Sequence, residues 1–260
     1  MARPMALRCV EYWALRYRRS WRGSVATTFL FPVGYLAAIG LGLGSLVDRR
    51  SPSLAALGGV SYLTYLAPGL LAATAMQTAA TEATWPVNDA VRWVRTYHAM
   101  LATPLGVWDV LVGHLAWMAV RLAMVCAAFL AVMALFGVVR SPWALAALPA
   151  GVLAGMAFAA PIAAFAATRD TDGGFAAMQR FVIVPLFLFS GAFFPLSELP
   201  PALAGLAWAT PLAHGVALCR ELVLGRLSPW PVLGHVAYLA AFTLGGVALA
   251  GRAFHSRLAR

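Results

Sequence analysis

Residues 82–105 read Glu-Ala-Thr-Trp-Pro-Val-Asn-Asp-Ala-Val-Arg-Trp-Val-Arg-Thr-Tyr-His-Ala-Met-Leu-Ala-Thr-Pro-Leu, and by Asp109 the chain is back in apolar sequence. No other polar interval between hydrophobic spans is as long. A helical hairpin turns in a few residues. The 28 residues from Glu82 to Asp109 mix arginine, aromatics and a helical pattern of their own, which marks a surface built to touch something. A soluble subunit on the cytosolic side is the most economical partner.

On both sides of this interval the chain is made for lipid. Of its 260 residues 62% are hydrophobic and 11% charged, against roughly 25% charged in a soluble domain. The uncharged runs Gly23–Val47, Ser51–Thr81, Ser141–Thr168 and Leu227–Gly251 each meet the ~20 residues that cross a hydrocarbon core as a helix. The shorter run Phe181–Ser197 and the run Asp109–Val139, interrupted by a charge, bring the expected spans to six. The first apolar run is too long for a cleavable signal, and it follows six arginines with no Ala-x-Ala site. The expectation is an all-α polytopic membrane protein, a single domain over 1–260.

The net charge of +10 marks orientation rather than nucleic acid. With six spans and a cytosolic N-terminus, thirteen arginines fall in cytosolic segments and five (Arg49, Arg50, Arg140, Arg220, Arg226) outside, which obeys the positive-inside rule. Both termini are then cytosolic, in a bacterial plasma membrane, with the arginines facing anionic lipid headgroups.

Several chemistries are excluded or unsupported. The chain contains no lysine, so the phosphate-binding loop Gly-x-x-x-x-Gly-Lys-Ser/Thr is absent and nucleotide hydrolysis does not occur here. Cys9, Cys126 and Cys219 are odd in number and scattered, which argues against a disulfide framework. No Cys/His spacing matches a metal site. His98, His114, His214, His235 and His255 form no pair at ligand or acid/base spacing on one helix face.

Along the chain, Leu7, Val10, Ala14, Tyr17 and Trp21 recur at helical spacing among arginines. That is an interfacial elbow helix over 1–23, with aromatics at headgroup depth. Gly34, Gly40, Gly42 and Gly44 in the first span allow close helix approach, within the subunit or across a dimer. In the coupling loop 82–107, Arg92, Trp93, Arg95, Tyr97, His98 and Leu101 fit a short amphipathic helix ended by Pro104. Its Arg, Trp and Tyr are the residues that dominate docking surfaces; the alternative is a helix lying flat on lipid. Arg121 lies within the third span, where a charge faces protein or water. It either lines a substrate path or pairs with an acid elsewhere. The segment 195–225 is too rich in proline to span. Pro200 and Pro201 open one short helix, Thr210-Pro211 caps a second, and Gly225 ends it. Phe193, Phe194, Leu199, Trp208 and Leu212 then cover the outer end, as a gate or as a simple cap.

These features together resemble the ABC type-2 exporter permeases. The resemblance rests on Arg95-Thr-Tyr-His-Ala-Met-Leu-Ala-Thr-Pro-Leu after the second span and Ser190-Gly-Ala-Phe-Phe-Pro-Leu-Ser-Glu-Leu-Pro after the fifth. It rests also on Thr210-Pro-Leu-Ala-His-Gly-Val-Ala-Leu-Cys-Arg. Within that family the chain is most similar to the branch of NodJ-type lipo-oligosaccharide exporters, and less closely to daunorubicin-type drug exporters. The resemblance implies a non-catalytic permease that pairs with a second permease copy or a paralogue and with a separate ATPase subunit. That partner binds the ATP and Mg; this chain carries no cofactor. It further implies that Arg92–Leu101 lies in the coupling helix and Pro200–Gly225 forms outer gating helices. The cargo class is an amphiphile: a glycolipid, a lipo-oligosaccharide or a drug. A membrane scaffold without a transport path is the alternative from another class.

Overall fold

The computed structural model describes residues 5–39, 42, 59–171 and 173–259, side chains at 25–27 excepted. The described residues are helical, without a strand. Helix α1 (Met5–Ala37) runs unbroken past position 23, so the elbow and the start of the first span are one rod. The Gly40/Gly44 pair and the outer Arg49 and Arg50 lie outside the described residues. At Gly34 an added Cβ meets nothing within 4 Å, so none of the described helices packs closely there.

Helix α2 (Tyr62–Asn88) starts where the Ser61 hydroxyl accepts a hydrogen bond from the Thr64 amide, the standard N-cap device. A π-turn, Asp89–Trp93, continues it, and the six-residue helix α3 (Thr96–Leu101) follows. Helix α4 (Val107–Leu135) opens with the Gly106 amide donating to Asp109 Oδ2 at 2.9 Å, a carboxylate on the positive end of the helix. Helix α5 (Ala147–Thr168) runs through Pro161 without interruption. The fifth apolar segment is broken into α6 (Gly173–Met178), a π-turn and α7 (Val184–Phe189). Helices α8 (Pro201–Trp208) and α9 (Pro211–Leu224) meet at 83°, and α10 (Pro229–Leu258) closes the chain.

Among the described residues three helices are long and apolar enough to cross a membrane: Val107–Leu135, Pro142–Thr168 and Pro229–Leu258; the bent α8–α9 pair, taken as one span, makes four. The expected count of six is thus met only in part. The first helix is loaded with arginine, α2 carries Gln77, Glu82 and several threonines, and the Gly173–Phe189 stretch is short.

Packing centres on α5, which lies against α2, α4, α9 and α10, while α1 leans mainly on α4. Helix α5 gathers neighbours because its buried face is nearly all alanine and glycine. Between apolar helices in lipid, such small residues gain van der Waals contact by letting backbones approach. A Cβ on Gly155 falls 2.8 Å from Leu122 and 3.2 Å from the Ala75 carbonyl, and one on Gly246 of α10 falls 2.9 Å from the backbone nitrogen of Pro161. The latter neighbour is rigid. Gly246→Leu is therefore expected to destabilise by about 1–3 kcal/mol, read as a lower melting temperature in detergent. Gly234→Leu, with nothing within 4 Å, serves as the control and leaves the melting temperature unchanged.

Candidate functional site

The C-terminal ends of α2, α5 and α10 gather at one end of the bundle with α3 and the start of α4. Asn88 Nδ2 donates to the Arg169 carbonyl at 3.3 Å, Arg16 approaches Asp89 at 3.5 Å, and Arg257 pairs with Asp170. Here the predicted helix over Arg92–Leu101 proves to be two pieces. Arg92 and Trp93 belong to the π-turn that ends α2. Arg95 takes the left-handed conformation, φ 54° and ψ 31°, and α3 begins after it. A side chain at that backbone position costs energy, and nothing in the residue types announces it.

The split sorts the predicted docking residues. Trp93 is 70% exposed, Arg95 and His98 are exposed, Arg92 is half-buried, and Arg92 lies over the Trp93 ring at 5.5 Å. Leu101 packs against the core. Tyr97 departs from the expectation of an outward aromatic: it is fully buried, its hydroxyl hydrogen-bonded to Nδ1 of His114 in α4 and its ring beside Phe254 of α10. Burial, with the nearby Cys9 thiol second, pushes its phenol well above the usual range, so it keeps its proton. Tyr97 is thus the peg that fastens α3 to the bundle. A cleft of about 530 Å³ opens beside it, with Arg92, Trp93, Arg95 and His98 on one side and Asp170 and Arg257 on the other.

Residues 7–224 match the family model described as ABC-2 type transporter. The chain belongs to that family. Nodulation protein J of Rhizobium leguminosarum bv. viciae is 34% identical over 212 residues, 82% of this chain and 79% of that protein. Nodulation protein J of Rhizobium meliloti (strain 1021) is 31% identical over 240 residues, 89% and 88% of the two chains. The chain is therefore a membrane subunit of the ABC-2 type.

Within this ABC-2 subunit, Arg121 has found a partner. Its Nε lies 3.2 Å from Glu82 Oε1 of α2, and its guanidinium sits 4.3 Å from the Tyr17 ring centroid of α1. The first half of α4 runs beside the arginine-bearing part of α1, with Trp13 against His114 and Tyr17 against Trp117. Arg121 thus stands in polar company, paired with an acid on a neighbouring helix.

The five residues expected to cover the outer end differ in burial. Phe193 packs on Phe187 at 5.1 Å and its carbonyl accepts from Tyr62. Phe194 and Leu199 are half-buried. Leu212 is wholly inside the core, whereas Trp208 is 43% exposed. Trp208 stacks on His235 of α10, and its carbonyl accepts a hydrogen bond from His214 Nε2. Two histidines pair across helices, where spacing along one helix face gives no signal: His214 Nδ1 and His235 Nδ1 are 2.8 Å apart across α9 and α10. Glu221 lies 3.9 Å from His235. Arg220, an outer charge by the sequence expectation, spans from α9 to the Tyr65 and Gly191 carbonyls at 3.2 and 2.8 Å. Among the described residues no three His, Cys, Asp or Glu side chains form a metal-holding group.

Removing one partner of a buried pair leaves the other charge stranded. Glu82→Gln and Arg121→Met are each expected to destabilise by about 1–3 kcal/mol. The double variant should lose clearly less than the sum, as coupled neighbours do. Strictly additive losses in chemical unfolding would show that the two side chains do not interact.

Proposed function

We propose that this chain is the permease subunit of an ATP-driven exporter that moves an amphiphile from the cytosolic side outward, energised by a separate ATPase. Family membership supports the first part. The observation that carries the second is the union of an exposed Trp93–Arg95–His98 surface with a buried Tyr97–His114 tether. A partner that pushes on the surface moves α3. Because the tether and the Phe254 contact are rigid, α4 and α10 feel that push directly. Without a phosphate-binding lysine the chain draws its energy through such a surface. Substrate affinity then switches between inward and outward states as the permease is driven between them.

On this reading the arginine-rich end is cytosolic and the protein sits in the bacterial inner membrane. The second half of α1, α2, α4, α5, the α6–α7 stretch and α10 are the six spans. Helices α8 and α9 cover the outer end, with Phe194, Leu199 and Trp208 toward the exit and Leu212 as their anchor. A second permease, identical or paralogous, completes the path. The relatives carry the name of nodulation, which together with the resemblance favours a glycolipid or lipo-oligosaccharide over a drug as cargo.

Reversing both charges, the half-buried Arg92→Glu with the exposed Arg95→Glu, is expected to weaken co-purification with the ATPase by about tenfold and to stop ATP-driven export, with the melting temperature unchanged. Undiminished co-purification would overturn the docking assignment. Orientation is checked separately on the exposed His98: a His98→Cys variant is expected to react with a membrane-impermeant maleimide only from the cytosolic side. Labelling in intact cells would reverse the topology.

A further inference from the structure

The histidines of α9 and α10 carry hydrogens whose places their neighbours fix. His214 Nε2 faces the Trp208 carbonyl at 2.9 Å, and a carbonyl only accepts, so Nε2 bears a hydrogen. A neutral His214 then has a lone pair on Nδ1, which accepts from Nδ1–H of His235 across 2.8 Å. That leaves a lone pair on Nε2 of His235. Opposite it, at 3.9 Å, stands Oε1 of Glu221. Two acceptors thus face each other, and the other carboxylate oxygen, Oε2, is buried without a hydrogen-bond partner. A buried carboxylate in that condition is costly.

One proton completes the row. Held between His235 Nε2 and Glu221 Oε1, it gives an unbroken series in which His235 donates to Glu221 and to His214, and His214 donates to the Trp208 carbonyl. The series joins the end of α8, the length of α9 and the start of α10. Charge argues the same way. Without the proton the three side chains carry a single negative charge, with it they are neutral, and a second proton makes them positive. A site largely shielded from water is lowest in energy when neutral. The second proton would also set Nδ1–H against Nδ1–H and break the bond between the histidines. Aromatic faces favour a charged ring here: Trp208 lies 6.0 Å from His235 and 6° from parallel, Tyr238 4.0 Å from His214 and 16° from parallel.

The other charged groups near the row are engaged elsewhere or exposed. Arg220 turns from α9 to the Tyr65 and Gly191 carbonyls, with its guanidinium on the Tyr65 ring of α2. Arg140 and Arg226, beside the end of α9, and Glu198, before α8, are exposed, where solvent screens them. Cys219 is sealed in the core. Helices α5 and α8 carry no titratable side chain, and α4 meets α10 toward its far end, where Trp108 lies against Gly251. The Tyr238 hydroxyl donates to the Ala209 carbonyl at 2.8 Å, so the bend between α8 and α9 already leans on α10 at a second point.

We propose that His214, His235 and Glu221 form a single-proton latch that ties the α8–α9 bend to α10 in mild acid and loosens it near neutrality. It rests on the export reading for its purpose: with α8 and α9 at the outer end, external acidity holds the exit shut. The test needs neither the ATPase nor a sided membrane, so its failure is separate from failure of docking or of topology. Spin labels are placed at Leu206→Cys on α8 and Leu244→Cys on α10, both exposed; the native thiols are buried. Distances are measured by double electron–electron resonance in phosphatidylcholine nanodiscs at about pH 7.5 and about pH 5.5, on either side of the ordinary imidazole range near 6.5. The ratio of the short-distance to the long-distance population is expected to rise about tenfold in acid, the effect of a one-unit difference in proton affinity between the two states. Glu221→Gln brings its own amide hydrogen to His235 Nε2, so it should hold the short distance at both pH values. His235→Phe keeps a ring on Trp208 but removes both nitrogens, and should give the long distance at both. An unchanged distribution across pH in the otherwise native protein would overturn the latch. So would a full pH response in either variant, or a Glu221→Gln distribution as long as that of His235→Phe.

Discussion

A guanidinium inside a helical membrane subunit cannot stay unanswered, because no bulk water compensates it. Arg121 obtains its answer from two directions, a carboxylate on α2 and an aromatic face on α1. One residue from each of three helices thereby fixes how those helices register. Slide α1 along α4 by one turn and Tyr17 leaves the guanidinium; slide α2 and Glu82 leaves it. The polar cluster around this point also explains why the first half of α4 tolerates His114 and Arg121. Its neighbours are the arginines and tryptophans of α1 rather than acyl chains.

The rest of the bundle is held by the opposite kind of chemistry. Helix α5 is so poor in large side chains that neighbouring backbones come into near contact, and the glycines at 151, 155 and 215 leave no room for a methyl group. Such an interface is stiff, since close packing leaves little space for rearrangement. Motion imposed on α4 or α10 is therefore shared by the packed block α2–α5–α9 rather than absorbed within it. The looser elements are at its edges, where α1 and the broken α6–α7 stretch present exposed Phe29, Leu30, Phe181 and Phe189.

Much of this was legible in the sequence because it depends on composition and on residues with fixed backbone demands. The apolar runs announced helices. Pro201, Thr210-Pro211 and Gly225 announced two short helices, and Gly225 does take the left-handed conformation at φ 70°. What was not legible depends on three-dimensional adjacency. Two histidines 21 positions apart on different helices carry no periodic signal, yet His214 and His235 touch. A single helical turn does not reveal which of its aromatics points inward, so Tyr97 and Trp93 looked alike although one is sealed and the other open. Nor does arginine advertise the positive φ that divides the loop helix at position 95; only glycine does so by type.

The uninterrupted course of α1 has a mechanical consequence. Thirty-three residues in one helix make a strut of about 50 Å, and its side forms a wall of two open cavities between α1, α2 and α4: one of about 460 Å³ along Trp13 to Ser24, and one of about 330 Å³ along Thr28 to Pro32. Two chambers that share one stiff wall do not have independent volumes. Tilting the strut changes both at once, so the state of the pair is described by a single coordinate, the angle of α1.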